Sequence, residues 1–201
     1  MVSTAAALAV GDPRGATQPF MGPIIRAEAV TAALAAQEKW GGGSGGKVLL
    51  AARALETPSR GHYITPGIIR VPAFSRDEAG CGGDVELFGP IVRLCIVRDL
   101  DQAIEQTNAT RYGLAASIFT TDRAAQERFL TEARAGCINV NTGTAGASGK
   151  LPFGGIGLSG NHRPAGSFAL DYTAYPVASM IEQGTDVALS PGMKFEDGWI
   201  G

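Results

Sequence analysis

The amino-acid sequence predicts an α/β fold: a parallel sheet with flanking helices, followed by a terminal strand. Two observations carry the prediction. Between Ile91 and Thr142, β-rich runs alternate with helical ones across short connections, the pattern of right-handed strand–helix–strand units. The chain's 201 residues, 45% hydrophobic and 18% charged, suffice for one sizeable core of the soluble globular kind.

The elements follow in order. Residues 27–40 read as a helix that a glycine-rich run ends, since glycine relieves the backbone at a helix terminus. "KVLLAA" and "HYITPGIIRV" are strand-like, and Pro66 confines or bends the second. "IVRLCIVRD" is a β-rich run. "DLDQAIEQTNAT" is a helix that Asp99 caps, with Gln102 at the reciprocal position of a capping box. "GLAASIFTTD" is again a strand, "DRAAQERFLTEARAG" a helix closed by Gly136, and "CINVNT" a third strand. Beyond Thr142 a long glycine-rich loop begins. "SFALDYTAYPVASM" then alternates as a strand does. The expected divisions are 1–147, a connecting loop over 148–164, a strand over 165–181, and an irregular tail over 182–201.

Composition excludes several functions. A formal net charge of −2 with no basic cluster argues against nucleic-acid or anionic-membrane partners. No run is long enough to span a membrane, and the N-terminal apolar run lacks the basic flank of a signal peptide. Three widely spaced cysteines make a reducing cytoplasm the default location. None has a nearby Cys or His at metal spacing, and His62 and His162 are the only histidines. No metal site is expected.

Gly155, Gly157 and Gly160 in "KLPFGGIGLSGNHRP" spell G-x-G-x-x-G. A dinucleotide loop needs a strand before it and a helix opening at the third glycine, so that amide groups meet pyrophosphate. Pro152 spoils the first flank, and Pro164 with Gly166 spoil the second. The expected structure is therefore a tight loop whose backbone passes close to another element, which glycine alone permits.

At "PFGGIGLSG" the sequence resembles the C-terminal part of the aldehyde dehydrogenase superfamily, which has a PFGG-x-x-x-SG loop. "GDPRGATQPFMGPII", "VELFGPIVRL", "NATRYGLAASIFTTD" and "ARAGCINVN" resemble further segments of that family, in its order. The "NHRP" form, with "TGTAGAS" before it and "DYTAYPVAS" after it, is similar to the branch that oxidises N-succinylglutamate semialdehyde with NAD.

The resemblance implies roles. In E-x-FGP, Glu86 would hydrogen-bond the nicotinamide ribose and Phe88 would pack beside the nicotinamide; a carboxylate and an aromatic edge suit those tasks. The loop bearing Gly146, Ala147 and Ser148 would grip the substrate's carboxylate end through backbone amides and the Ser148 hydroxyl. Arg163, with His162, would pair with a dicarboxylate. The 165–181 strand would extend a sheet across a subunit interface, giving a homo-oligomer, or a pairing with the N-terminal part of such an enzyme.

The family's nucleophilic cysteine, general-base glutamate and Rossmann fold lie in motifs upstream of those seen in this chain. No catalytic residue is therefore assigned within residues 1–201. Cys95 and Cys137 read as core, whereas Cys81 reads as accessible on a mobile loop but unactivated, with acids as neighbours. The expected function is that of a C-terminal portion, inactive alone. The alternatives are a subunit of a split enzyme, or a non-catalytic module pairing with an aldehyde dehydrogenase subunit.

Overall fold

A computed structural model of the chain describes residues 1–42, 45–146, 148–184, 189–194, 196 and 198. By contact the chain divides into two units, Met1–Ala169 and Leu170–Gly201.

The first unit opens with α1 (Val2–Ala6) and α2 (Ala27–Gly42). Four strands follow: β1 (Lys47–Leu50), β2 (Ala54–Leu55), β3 (Tyr63–Ile64) and β4 (Gly67–Arg70). The split between β3 and β4 falls at Pro66, which has no N–H to give a ladder. Next come β5 (Ile91–Leu94), α3 (Leu100–Thr107), β6 (Ala115–Ile118), α4 (Arg123–Glu132) and β7 (Cys137–Val140). Beyond them lie β8 (Pro152–Phe153), a 3₁₀ turn (Gly157–Ser159) and β9 (Ala165–Gly166).

The sheet topology refines the sequence reading. β5 pairs in parallel with β4, which pairs antiparallel with β1, while β6 pairs in parallel with β7. The alternation from Ile91 onward thus yields one parallel pair, β6–β7, while β5 pairs back with β4 and joins neither β6 nor β7. Periodicity identifies strands, but it does not name their neighbours. The β1–β4–β5 sheet and the β6–β7 pair pack into separate apolar clusters. Ala33 and Trp40 of α2 sit in apolar clusters with Ile64, Ile69 and Val71. Ile104 of α3 and Phe129 of α4 cluster with Ala116, Ile118 and Ile138 of the β6–β7 pair.

The predicted cap at Asp99 is present, and Asp122 caps α4 as well. Asp99 accepts from the Gln102 amide at 2.8 Å, and Asp122 accepts from the Ala124 amide at 2.9 Å. The Gln102 side chain reaches the Arg98 amide at 2.9 Å, one residue short of the capping-box position. α4 ends at Glu132 with Ala133 extended, three residues before Gly136. Gly136 is needed elsewhere: a β-carbon there would collide with the Gly154 carbonyl.

Residues 165–181 correct the expected strand. Apart from the two residues of β9, this segment forms a five-residue helix, α5 (Ala169–Thr173), and residues 174–184 join no strand. Alternation predicts a strand only where a sheet edge receives it, because an isolated extended segment leaves its ladder groups unpaired. Leu170, Tyr175, Val177, Met180 and Ile181 are exposed.

Candidate cofactor-facing site

The segment from Cys81 to Pro90 carries the site. Its first half is threaded through the core: Cys81, Gly82, Gly83 and Asp84 are buried. A β-carbon at Gly82 would strike the Ala73 carbonyl. The chain then turns outward, and Glu86 and Phe88 are exposed, Phe88 by 72%. Together with Leu87 they line an open groove of about 540 Å³ against Ile25, Arg26, Glu28, Ala29 and Ala32 at the start of α2. The groove therefore offers an acceptor carboxylate beside an aromatic face, a pairing suited to a ligand with hydroxyls and a flat ring.

Two residues that the sequence reading missed hold this segment in place. The Arg93 guanidinium, on β5, donates to the carbonyls of Gly83 (2.5 Å), Val85 (3.3 Å) and Cys81 (3.5 Å). It lies over the Trp40 ring at 4.6 Å and the Phe74 ring at 5.6 Å, a cation–π arrangement. Burial pulls this group below its usual value, against the pull of Asp84 and Cys81. Asp84 is the second residue. Its 7%-exposed carboxylate accepts from the Thr110 hydroxyl (2.5 Å), the Arg111 amide (2.7 Å) and Arg111 Nε (3.1 Å). Burial pushes its pKa up, but these donors outweigh burial and hold it below the usual carboxylate range. Arg111 also pairs with Glu78 at 2.8 Å, and the two acids raise its pKa.

The Asp84 pairing fixes the Arg111–Gly113 stretch, on which the glycine loop is built. Ile156 and Leu158 donate their amides to the carbonyls of Gly113 (3.0 Å) and Arg111 (2.9 Å), and the Gly113 amide donates to Ser159 Oγ at 3.2 Å. β-carbons at Gly155, Gly157 and Gly160 would collide with carbonyls of Ser159, Arg111 and Gly155. Gly157 also has φ +58°, the left-handed region that favours glycine. The three glycines serve close backbone approach, as expected, and their faces are filled by the chain itself.

The other expected site residues are not all brought together. Gly146, with φ +94°, and Ser148 line a groove of about 290 Å³ with Cys137, Ile138 and Asn139 of β7. The Ser148 hydroxyl accepts from the Lys150 amide at 3.2 Å. Ala147 lies outside the described residues. Arg163 is exposed and lies outside this groove; its amide donates to Asn161 Oδ1 at 3.0 Å. His162, with φ +64°, lines a neighbouring groove with Gly154 and Pro164.

Cys81 is a correction. It is 2% exposed and packs with Trp40, Ile69 and Val71, so it is core and not an accessible loop thiol. Its glycine and acidic neighbours suggested a loop, but Arg93 draws that loop inward by its carbonyls. Cys95 packs against the same cluster and donates to the Pro72 carbonyl at 3.3 Å. Among the described residues, no group of three His, Cys, Asp or Glu side chains converges as a metal site would require.

A sequence model described as the aldehyde dehydrogenase family matches residues 1–176. The N-succinylglutamate 5-semialdehyde dehydrogenase 1 of Caulobacter vibrioides is 44% identical over 174 residues, which cover 86% of this chain and 35% of that protein. The N-succinylglutamate 5-semialdehyde dehydrogenase of Hahella chejuensis is 42% identical over 96% of this chain and 38% of its own length. Among solved structures, HpcC of Thermus thermophilus superposes with a TM-score of 0.72 at 27% identity, covering 90% of this chain and 36% of its own. A 1-pyrroline-5-carboxylate dehydrogenase from Thermus with bound NAD gives a TM-score of 0.71 at 29% identity, over 83% of this chain and 30% of that one. The chain thus spans under two-fifths of the length of these relatives.

Proposed function

Because this chain belongs to the aldehyde dehydrogenase family, we propose that it supplies one wall of the nicotinamide site of an enzyme that oxidises N-succinylglutamate 5-semialdehyde with NAD. The observation that carries this reading is the groove shared by Glu86 and Phe88. They fit the nicotinamide-ribose end of NAD: the Glu86 carboxylate accepts from ribose hydroxyls, and Phe88 flanks the flat ring. The pyrophosphate finds no such fit, because the faces of Gly155, Gly157 and Gly160 are taken by carbonyls of the chain. NAD, when bound, accepts the hydride of the aldehyde. What these residues add is orientation, which lowers the barrier by placing reactants in advance. Gly146 and Ser148 are the proposed contacts to the substrate carboxylate, together with Ala147 and Arg163. A cytoplasmic location fits the odd, widely spaced cysteines.

The test is a hybrid in which the portion of the Hahella chejuensis relative preceding its matched region is joined in frame to this chain. We expect NADH formation with N-succinylglutamate 5-semialdehyde in preference to aldehydes lacking the carboxylate. A folded hybrid without that preference would overturn the substrate reading.

The exposed Leu170, Tyr175, Val177, Met180 and Ile181 favour self-association, because contiguous apolar surface is a drive to pair. Light scattering should find a dimer or larger species for chain 1–201 and a smaller one for chain 1–164. Identical stable monomers would exclude assembly through this segment.

A further inference from the structure

The loop that presents Glu86 and Phe88 runs from Val85 to Ile91 and returns directly into β5. Within it, Gly89 donates its amide to the Leu87 carbonyl at 3.1 Å, and Ile91 donates to Gly89 at 2.9 Å. These short links shape the loop without anchoring its base. The base is anchored from the far side by Arg93, whose fork reaches back to the Val85 and Gly83 carbonyls while its plane rests on Trp40. The incoming side of the loop's neck is thereby tied to a rigid group on β5, immediately beside Glu86, while the Gly67 amide holds the outgoing side at the Pro90 carbonyl (2.9 Å).

We propose that Arg93 is a positioning residue for the Glu86–Phe88 cofactor wall, a role that rests on the reading of these two residues given above. Its planar fork is essential to the role. A guanidinium offers five N–H donors in fixed geometry and stacks on aromatic rings, whereas a lysine ammonium is a single point charge. A lysine in its place keeps the charge and loses the simultaneous hold on Gly83 and Val85.

The experiment measures NAD binding by saturation-transfer NMR at millimolar NAD, with amide exchange read residue by residue in the same samples. Four chains are compared: the unaltered protein, Arg93→Lys, Arg93→Met and Glu86→Gln. Arg93→Met keeps an apolar stem over Trp40, so it preserves packing should the lysine variant fail to fold; protected amides in β6 and β7 report folding. We expect at least fivefold weaker binding in each folded Arg93 variant, with faster exchange at the Asp84 and Val85 amides. Glu86→Gln should weaken binding to a similar extent and leave that exchange unchanged. If a folded Arg93 variant exchanges faster at those amides yet binds NAD as the unaltered chain does, Arg93 is only structural and the inference fails while the cofactor reading stands. If Glu86→Gln binds normally, or the unaltered chain shows no transfer from NAD, the cofactor reading itself fails and takes the inference with it.

Discussion

We expect the 201-residue polypeptide, assayed alone, not to reduce NAD with N-succinylglutamate 5-semialdehyde or with any other aldehyde. Aldehyde oxidation needs a thiolate to attack the carbonyl, donors for the resulting oxyanion, and a base to activate water. None of the three cysteines is set for that task. Cys81 is buried among Trp40, Ile69 and Val71, and Cys95 packs on the same cluster with its thiol on the Pro72 carbonyl. A thiol packed into apolar core is out of a substrate's reach and inert. Cys137 comes nearest, because it opens β7 and lines the groove that holds Gly146 and Ser148. Among the described residues, that groove's lining contains no histidine or acid to deprotonate it. Absorbance at 340 nm should therefore stay at the buffer rate. Turnover that vanishes in Cys137→Ala or Cys81→Ala would reveal a nucleophile inside this chain and refute the expectation.

The second large effect is on stability. Replacing Asp84 by Ala removes the buried acceptor of the Thr110 hydroxyl and the Arg111 amide, a loss of about 2 kcal/mol for buried donors left unmade, while the partly exposed Arg111 guanidinium keeps Glu78. The midpoint of urea unfolding should fall accordingly. The pH dependence has a definite sign. The folded-state pKa of Asp84 lies below its ordinary value of 3.8, so its contribution is fully present above the unfolded value. That contribution is lost as the pH falls through the folded value. Stability should therefore decline below about pH 4 in the unaltered protein, and Asp84→Asn should flatten this acid limb. An Asp84→Ala chain with an unchanged midpoint would show that the network is ornamental.

Local signals made much of this legible in advance. Helix α2, the cap at Asp99, and the strands β5, β6 and β7 each follow from periodicity or a single polar residue at a helix start. The glycine loop was legible because Pro152, Pro164 and Gly166 excluded the alternative. Long-range choices were not. Arg93 looks like a polar interruption in "IVRLCIVRD", and nothing in its spacing announces Trp40, 53 positions earlier. Asp84 and Arg111 are 27 residues apart, with no periodic link between them. Cys81 reads as a loop thiol for the same reason, since what buries it comes from elsewhere in the chain. The terminal alternation predicts a strand, although a strand is a property of two segments and the sequence displays only one.

The crowding at Gly155, Gly157 and Gly160 has a consequence for anyone engineering this protein or scanning genomes with patterns. In a saturation library these three positions would return glycine almost alone, since any substitution drives a β-carbon into a carbonyl oxygen. Ile156 and Leu158 between them are 36% and 60% exposed and would accept many replacements. Purifying constraint on backbone clearance thus writes the same letters, at the same intervals, that phosphate recognition writes in unrelated folds. A spacing pattern can record the footprint of a neighbouring chain as faithfully as that of a ligand.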